Sequence, residues 1–302
     1  MPRTSTFSRR RFVTTGLAVA TTVKLQRAAQ ALGLAPTAEV CRLTTEQEVG
    51  PYYVPDELLR SDIVEGKPGV PLSLRIVVLD SRTCKPLPDA AVDLWHCDAL
   101  GLYSGFTKQN PMGPGGPGGP PPGFDPQGPG PPDRMGPPPD RMERPDGMGP
   151  PGENHPTDKL TFLRGIQLTG DTGTVEFRTV FPGVYMGRTN HIHFKVRVGG
   201  QAGKSYQAGH ASHVGQIFFP EGLAAALMAQ EPYRRHQIHR TTQAEDQVFG
   251  DQHGELSIAR VEQLNAQDPA AGLRAELIAA VDPTVTPAPA RRGRGPGGRP
   301  PY

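Results

Sequence analysis

The chain has 302 residues and a net charge of +2, with 32 Lys and Arg against 30 Asp and Glu. This balance gives no support for nucleic acid, or for an anionic membrane surface, as a partner. Pro and Gly number 35 and 37, but 28 of them fall within the 42 residues from 111 to 152. The remainder has the composition of an ordinary globular chain that is long enough to bury a core.

The first 35 residues have the pattern of an export signal. Three consecutive arginines, 9 to 11, precede a modestly apolar run, and Ser8–Val13 resembles a twin-arginine signal. The run is too short and too rich in threonine to span a bilayer as a lasting helix. An A-x-A-like site at Ala29–Ala31 is a candidate for cleavage. The sequence therefore predicts a periplasmic or extracellular protein; a disordered basic N-terminus is the alternative.

Three cysteines, Cys41, Cys84 and Cys97, belong to this predicted exported chain. An oxidising compartment favours disulfides, so one disulfide and one leftover thiol are compatible with this number. The pairing cannot be deduced from the sequence, and the spacing matches no zinc motif. We expect all three to be structural.

Short segments with strand character follow one another along the chain. Leu72–Asp80 alternates and then becomes continuously apolar, as expected of a strand. The further predicted strands are AAVDLWHCD, GTVEFRTV, HIHFKVRV, GQIFFP, GELSIARVEQL and LRAELIAAVDP. From composition, the last two could also be helical segments. Only EGLAAALMAQEPYRRH, residues 221–236, is predicted as a helix. Short strands between turn residues favour an all-β fold, with a β-sandwich core, long loops and little helix.

One domain, residues 36–285, is therefore predicted. It contains a Pro/Gly-rich insert, residues 109–157, in which PPDRM occurs twice. Such a segment cannot bury enough apolar surface to order itself, so we expect a flexible loop within the domain. The basic tail, residues 286–302, is also predicted to be disordered.

The stretch MGRTNHIHFKV carries two histidines one residue apart. Successive side chains of a strand face opposite sides, so His191 and His193 share one face and the apolar residues at 192, 194 and 196 share the other. The apolar face is predicted to be core. The histidine face then looks at solvent, a cleft or a metal; because Lys195 continues it, a plain polar face is the alternative. Imidazole alone does not identify a metal.

Two tyrosines on turns stand near this strand in the sequence. Tyr185 follows a Pro-Gly turn six residues before His191, and Tyr103 lies in a Gly-flanked turn after a predicted strand. A single tyrosine is ordinarily a core or interface residue. Phenolate, however, is a hard anionic donor that prefers a trivalent metal. Two phenolates with two imidazoles would suit ferric iron well and zinc poorly.

The motifs GPYYVP, VDLWHCDALGLYSG, RGIQLTGDTGTVEFRTVFPGVY, GRTNHIHFKV and GQIFFP occur in this order over residues 50–220. This ordered set resembles the intradiol ring-cleavage dioxygenases. The resemblance implies an enzyme that opens catechol or a substituted catechol with O2 at a mononuclear non-haem Fe(III) ion, giving a cis,cis-muconate-type diacid. Nothing in the sequence predicts a nucleic-acid partner or a stable membrane span, and the oligomeric state stays open.

The resemblance also implies roles for individual residues. The implied iron ligands are Tyr103, Tyr185, His191 and His193, of which Tyr185 gives way when substrate arrives. Arg188 would lie beside the bound catecholate and Gln216 near the reacting ring, although a polar residue at a strand edge is an equal alternative for Gln216. The segment implied to approach the substrate is Gly50, Pro51 and Tyr52; a turn followed by a core aromatic is its alternative. Trp95 and Phe194 are predicted to be core residues.

Two other functions account for part of the pattern. A copper or zinc protein could use the His-x-His strand. Against this alternative, the sequence shows neither a third clustered histidine nor an HExxH signal. A secreted β-sandwich binding module would explain the export signal, the strands and the insert. It would not explain the set of two tyrosines and two histidines.

Overall fold

The protein is represented by a computed structural model that describes residues 41–55, 58–108 and 155–290. The predicted signal segment, residues 109–154 of the predicted insert and residues 291–302 of the predicted tail lie outside the described residues. Within the described ranges, no helix has both the length and the apolar character that a membrane span requires.

The described part of the chain contains nine strands and two α-helices. The strands are β1 (Pro71–Asp80), β2 (Lys85–Pro86), β3 (Ala91–Trp95), β4 (Arg164–Leu168), β5 (Thr174–Val180), β6 (His191–Ala202), β7 (Tyr206–Phe218), β8 (Arg260–Gln263) and β9 (Leu273–Val281). The helices are α1 (Glu221–Met228) and α2 (Gln247–Asp251). One sheet has the order β2-β1-β9-β8, with β5 also paired to β1, and the other has the order β4-β3-β6-β7. The β1–β9 pair is parallel.

Alternating apolar residues place the core between the two sheets. Every second residue of β1 from Leu72 to Val78 is buried, and so are Ile192, Phe194 and Val196 of β6. Both sets belong to one cluster, which also includes side chains of β3, β5 and β9. A sheet with one apolar face must bury that face against another layer. The predicted all-β sandwich with little helix is therefore confirmed, and Phe194 is a core residue as predicted.

Two predicted elements differ from the structure. The predicted helix 221–236 ends at Met228, and Tyr233–Arg235 forms a separate 3-10 turn, because Pro232 cannot continue the hydrogen-bond ladder. GELSIARVEQL begins as the 3-10 turn Gly254–Ser257 and becomes a strand only at β8. Residue 254 packs closely against α2, because a Cβ at this position would lie 2.4 Å from the Phe249 ring. β4 is missing from the predicted strands, since five residues with one glycine show too little alternation.

Residues 41–53, here called the N-terminal strap, run across the edges of both sheets. The Cys41–Cys84 disulfide joins the start of the strap to the turn after β1, while Cys97 is buried and free. Thr44 N donates to the Ala280 carbonyl of β9 at 2.8 Å, and Ala280 N donates to Thr44 Oγ1 at 2.9 Å. The strap then follows the outer edge of β7, where backbone N–H 47 donates to carbonyl 214 at 2.9 Å. It thereby reaches the histidine face of β6.

Candidate functional site

The start of β6 brings two imidazoles together. His191 and His193 point away from the core, yet they are only 2% and 0% exposed. Their Nε2 atoms are 3.1 Å apart. His191 Nδ1 lies 2.7 Å from the Thr189 carbonyl oxygen. Because a carbonyl only accepts, Nδ1 carries the proton and Nε2 keeps its lone pair. The alternative of a solvated polar face is thus wrong at these two positions.

The two tyrosines on turns converge on the same point. Tyr185 Oη is 3.4 Å from His191 Nε2. The ring centroid of Tyr103 lies 5.7 Å from that of Tyr185 and 6.4 Å from that of His193. The Tyr103 hydroxyl is buried, and among the described residues it has no hydrogen-bond partner. Since buried polar groups are rarely left unsatisfied, this oxygen is available to a bound ligand.

Close backbone contacts fix the two tyrosine-bearing loops against each other. A Cβ on Gly183 would lie 2.6 Å from the Asp98 carbonyl oxygen, and a Cβ on Gly101 would lie 2.3 Å from the Val184 carbonyl oxygen. Gly101 also has a φ of +84°, in a region that L side chains rarely adopt. The Asp98 carboxylate braces the same turn by accepting from Leu102 N at 3.0 Å. Glycine at both positions therefore sets the separation of the two phenols.

A buried guanidinium faces this group of donors. Arg188 Nη1 lies 3.3 Å from Tyr185 Oη. Its Nε donates to both carboxylate oxygens of Asp246, at 3.1 and 3.0 Å, and its Nη2 donates to Gln216 Oε1. Glu48 Oε1 is 3.9 Å from Nη1. Charge-assisted contacts of this kind fix the plane of the guanidinium as well as its position.

Asp246 is a site residue that the sequence-based predictions missed. It is the N-cap of α2, where its carboxylate accepts from Val248 N at 2.9 Å, and it also accepts from Thr189 N at 2.9 Å. An aspartate just before a helix is a typical capping signal. Nothing in the sequence indicates that the same carboxylate binds Arg188, 58 residues away.

The N-terminal strap supplies one wall of the site. Gly50 has a φ of +72°, and a Cβ there would lie 2.8 Å from His193 Cε1. Tyr52 stacks on Tyr103 with ring centroids 4.3 Å apart and planes at 22°. Pro51, between them, is half-buried. Any side chain at position 50 would displace an imidazole, so the strap must carry glycine at this point.

The Trp95 side chain also packs against His193. The Trp95 ring stacks on the imidazole with centroids 5.1 Å apart and planes at 4°. Trp95 is buried, as predicted, but it lies in the aromatic cluster of the site and not between the sheets. The cause is register, because β3 pairs with β6 so that residue 95 stands directly opposite residue 193.

Burial governs the ionisation of the four donors. Desolvation, with the Arg188 guanidinium as the second cause, lowers the pKa of both histidines well below the ordinary value, so both are neutral at pH 7. Desolvation raises the pKa of Tyr103, and it raises the pKa of Tyr185 to about 12 although Arg188 opposes that shift. The protein alone thus keeps both phenols protonated, and a strong cation would be needed to convert them to phenolates.

The structure brings all the predicted site residues into one region. Around the two imidazoles lie Gly50, Pro51, Tyr52, Tyr103, Tyr185, Arg188 and Gln216. Of the other histidines, His96 is buried against the Thr179 hydroxyl, and His213 is buried against Glu46. Within the described ranges, no group of three or more His, Cys, Asp and Glu side chains could hold a metal. A metal bound at this site would therefore need tyrosine ligands.

Comparison with known proteins identifies the family. The structure is similar to that of an intradiol ring-cleavage dioxygenase from Tetranychus urticae, with 30% sequence identity, 82% of this chain and 98% of that chain covered, and a TM-score of 0.61. A second dioxygenase structure matches with 30% identity over 82% of this chain and 97% of its own, at a TM-score of 0.62. No protein-family model and no curated protein matches the chain.

These two matches cover nearly the whole length of both relatives, and they bear out the resemblance that the ordered motifs indicate. A non-enzymatic binding module is excluded as the function of the sandwich. The chain belongs to the intradiol ring-cleavage dioxygenases, and it is a ring-cleaving oxidoreductase.

Proposed function

We propose that this enzyme cleaves catechol or a substituted catechol with O2, between the hydroxyl-bearing carbons, to a cis,cis-muconate-type diacid at a mononuclear non-haem Fe(III) site. Tyr103, Tyr185, His191 and His193 would be the ligands. The observation that carries this proposal is the convergence of four buried donors. One of them, the Tyr103 hydroxyl, has no hydrogen-bond partner among the described residues.

Three of the four donors are spaced as ligands of one ion would be, and the chemistry of the whole set fits ferric iron. Two donors about 2.1 Å from one ion, at an angle of roughly 90–110°, lie about 3.0–3.4 Å apart. The separations of His191 Nε2 from His193 Nε2 and from Tyr185 Oη are 3.1 and 3.4 Å. Phenolate oxygens are hard anionic donors, and a trivalent ion provides the charge that their deprotonation requires.

Individual residues of the chain would have different roles in the reaction. When bound, ferric iron supplies the Lewis acidity and the electron-accepting character that make the catechol ring reactive towards dioxygen. Tyr185 Oη, as phenolate, accepts a proton from a catechol hydroxyl. Arg188 Nη1, 3.3 Å from that oxygen, stabilises the negative charge that develops on the ring oxygens. The buried aromatic rings of Tyr52, Trp95 and Tyr103 exclude water, which strengthens these electrostatic interactions.

The visible absorption spectrum, recorded before and after anaerobic addition of catechol, tests this proposal. Protein purified without metal is first reconstituted with ferric iron, and the iron content is measured. We expect a broad ferric tyrosinate band that shifts to longer wavelength when catechol binds. Iron-loaded protein without colour would contradict the ligand set. A colourless protein that retains zinc or copper and rejects iron would favour the alternative metals.

Tyr185→Phe is expected to keep bound iron, because Tyr185 is the ligand proposed to leave the ion when substrate arrives. The same variant is expected to lower kcat/KM for catechol by about 100-fold, the lower range for loss of a general base. Iron content and steady-state ring cleavage are the measurements. Tyr206→Phe is the matched control, since Tyr206 is equally buried but its hydroxyl accepts from Gly200 N. Loss of all iron from Tyr185→Phe, or turnover equal to that of the control, would contradict the role of Tyr185.

The location of the enzyme is a further part of the proposal. We propose that it is exported through the twin-arginine-type signal of residues 1–35 and acts in the periplasm or outside the cell. Support comes from the consecutive arginines before the apolar run. The Cys41–Cys84 disulfide is a second support, because disulfides persist in oxidising compartments.

A further inference from the structure

Glu48 places a carboxylate beside the nitrogen of Arg188 that faces the proposed substrate position. Its Oε1 is 3.9 Å from Arg188 Nη1, and its side chain is only 11% exposed. Nη1 is also the nitrogen that contacts Tyr185 Oη, the ligand proposed to give way to substrate. A charged ring substituent of a bound catechol would therefore be close to this carboxylate.

Hydrogen bonds from two other parts of the chain hold the backbone of the strap in place at Glu48. Glu48 N donates to Gln252 Oε1 at 2.7 Å, and its carbonyl oxygen accepts from Gln216 Nε2 at 2.9 Å. Gln216 is itself fixed, because its backbone N donates to Gln47 Oε1 at 2.6 Å. A backbone shift that moved the carboxylate away from Arg188 would break these hydrogen bonds. The backbone position of Glu48 in the pocket wall is therefore fixed by them.

The guanidinium of Arg188 is already matched by negative charge. Asp246 occupies Nε in a bidentate contact, and Glu48 faces Nη1. A second buried guanidinium near the aromatic cluster, that of Arg164, donates to the Ser104 carbonyl at 2.7 Å. A carboxylate on the substrate would thus be desolvated next to Glu48, beside a cation that Asp246 already binds.

We propose that Glu48 is a specificity-determining residue, which makes the pocket select catechols with uncharged or cationic ring substituents and disfavour catechols that carry a carboxylate. This inference rests on the proposed function and names the substrate class of the same site. Like charges brought together reject a ligand by repulsion. The effect is larger in a buried pocket than in water, because the local dielectric constant is lower.

The single tryptophan of the chain offers a binding signal that does not depend on turnover. Trp95 is the only tryptophan, and its ring stacks on His193. Its fluorescence in the iron-loaded protein is titrated under anaerobic conditions with catechol, dopamine, 3,4-dihydroxybenzoate and 2,3-dihydroxybenzoate. The two benzoates place the carboxylate at different ring positions. We expect Kd values for both benzoates at least about 10-fold above those for catechol and dopamine, which corresponds to about 1.4 kcal/mol.

Glu48→Gln removes the charge and keeps the shape and one side-chain oxygen of the residue. This variant is expected to reduce the ratio of benzoate Kd to catechol Kd to about 3-fold or less, chiefly through tighter benzoate binding. Glu46→Gln is the matched control, because Glu46 lies on the same strap but contacts Val214 N and His213. The control is expected to keep the ratio of the unmodified protein.

The outcomes separate this inference from the function on which it rests. If catechol is cleaved but the benzoates bind as tightly as catechol, or if Glu48→Gln leaves the ratio unchanged, the specificity role of Glu48 is wrong and the proposed function stands. If none of the four compounds is cleaved or changes the fluorescence, both are wrong. The comparison of ligands in the unmodified protein needs no variant, so equal binding of the benzoates and catechol would overturn this inference even if Glu48→Gln does not fold.

Discussion

His191→Ala is expected to lower bound iron from about one ion per chain to background and to reduce ring cleavage by at least about 1,000-fold, the scale seen when a catalytic group is removed from other enzymes. The imidazole is the centre of the donor group, with His193 Nε2 at 3.1 Å and Tyr185 Oη at 3.4 Å. Its loss would also leave a gap beside buried phenols that the protein keeps protonated. Iron analysis, the visible spectrum and steady-state turnover are the measurements.

His239→Ala is the control for that experiment, because the His239 side chain is 77% exposed and its ring pairs with Glu245. We expect this variant to keep iron, colour and turnover. Circular dichroism should show the same strand content in both variants, since His191 lies on the face of β6 opposite the apolar core. If His191→Ala retained a full complement of iron and normal turnover, the assignment of this ligand would be wrong.

Gly101→Ala is expected to destabilise the protein by about 3 kcal/mol or more, within the range of severe single substitutions. Two effects add at this position. A φ of +84° costs an L-residue about 1 kcal/mol, and the new Cβ would lie 2.3 Å from the Val184 carbonyl oxygen. Relief of that collision must separate the Tyr103 and Tyr185 loops, so we also expect weaker iron binding. Denaturant unfolding followed by circular dichroism measures the first effect, and iron analysis measures the second.

Gly187→Ala isolates the cost of the backbone conformation. Gly187 has a similar φ of +79°, but a Cβ there meets no atom within 4 Å. This variant is expected to lose only about 1 kcal/mol, which in a domain of this size lowers Tm by about 2–4 °C. Equal destabilisation of the two variants would show that the contact between the loops does not contribute.

The parts of the site that could be predicted from sequence are those that depend on local geometry. A period of two puts His191 and His193 on one face whatever the strand packs against, and turn residues mark the loops of Tyr103 and Tyr185. Which part of the chain covers that face could not be predicted in the same way. It is covered by the strap, whose residues precede the first strand by about twenty positions and carry no pattern that names their partner.

Long-range partners account for the rest of what was missed. Asp246 looks like an ordinary helix cap, and its contact with Arg188 exists only because α2 returns to the start of β6. The cysteine pairing depends on where residue 41 crosses the turn after β1. The 3-10 turn Gly254–Ser257 packs closely against the Phe249 ring, a contact that its own sequence does not indicate. In each case the observed structure depends on a tertiary contact and not on the local sequence alone.

The position of β9 between β1 and β8 has a consequence for biosynthesis. A ribosome produces Tyr103, Tyr185, His191 and His193 well before Leu273–Val281, yet β1 and the strap both find partners in that last strand. A nascent chain therefore carries all four donors without the sandwich that would hold them together. The complete sandwich can form only after translation has passed residue 281, so under the proposed function the metal pool of the compartment where folding finishes would decide which ion the site takes up.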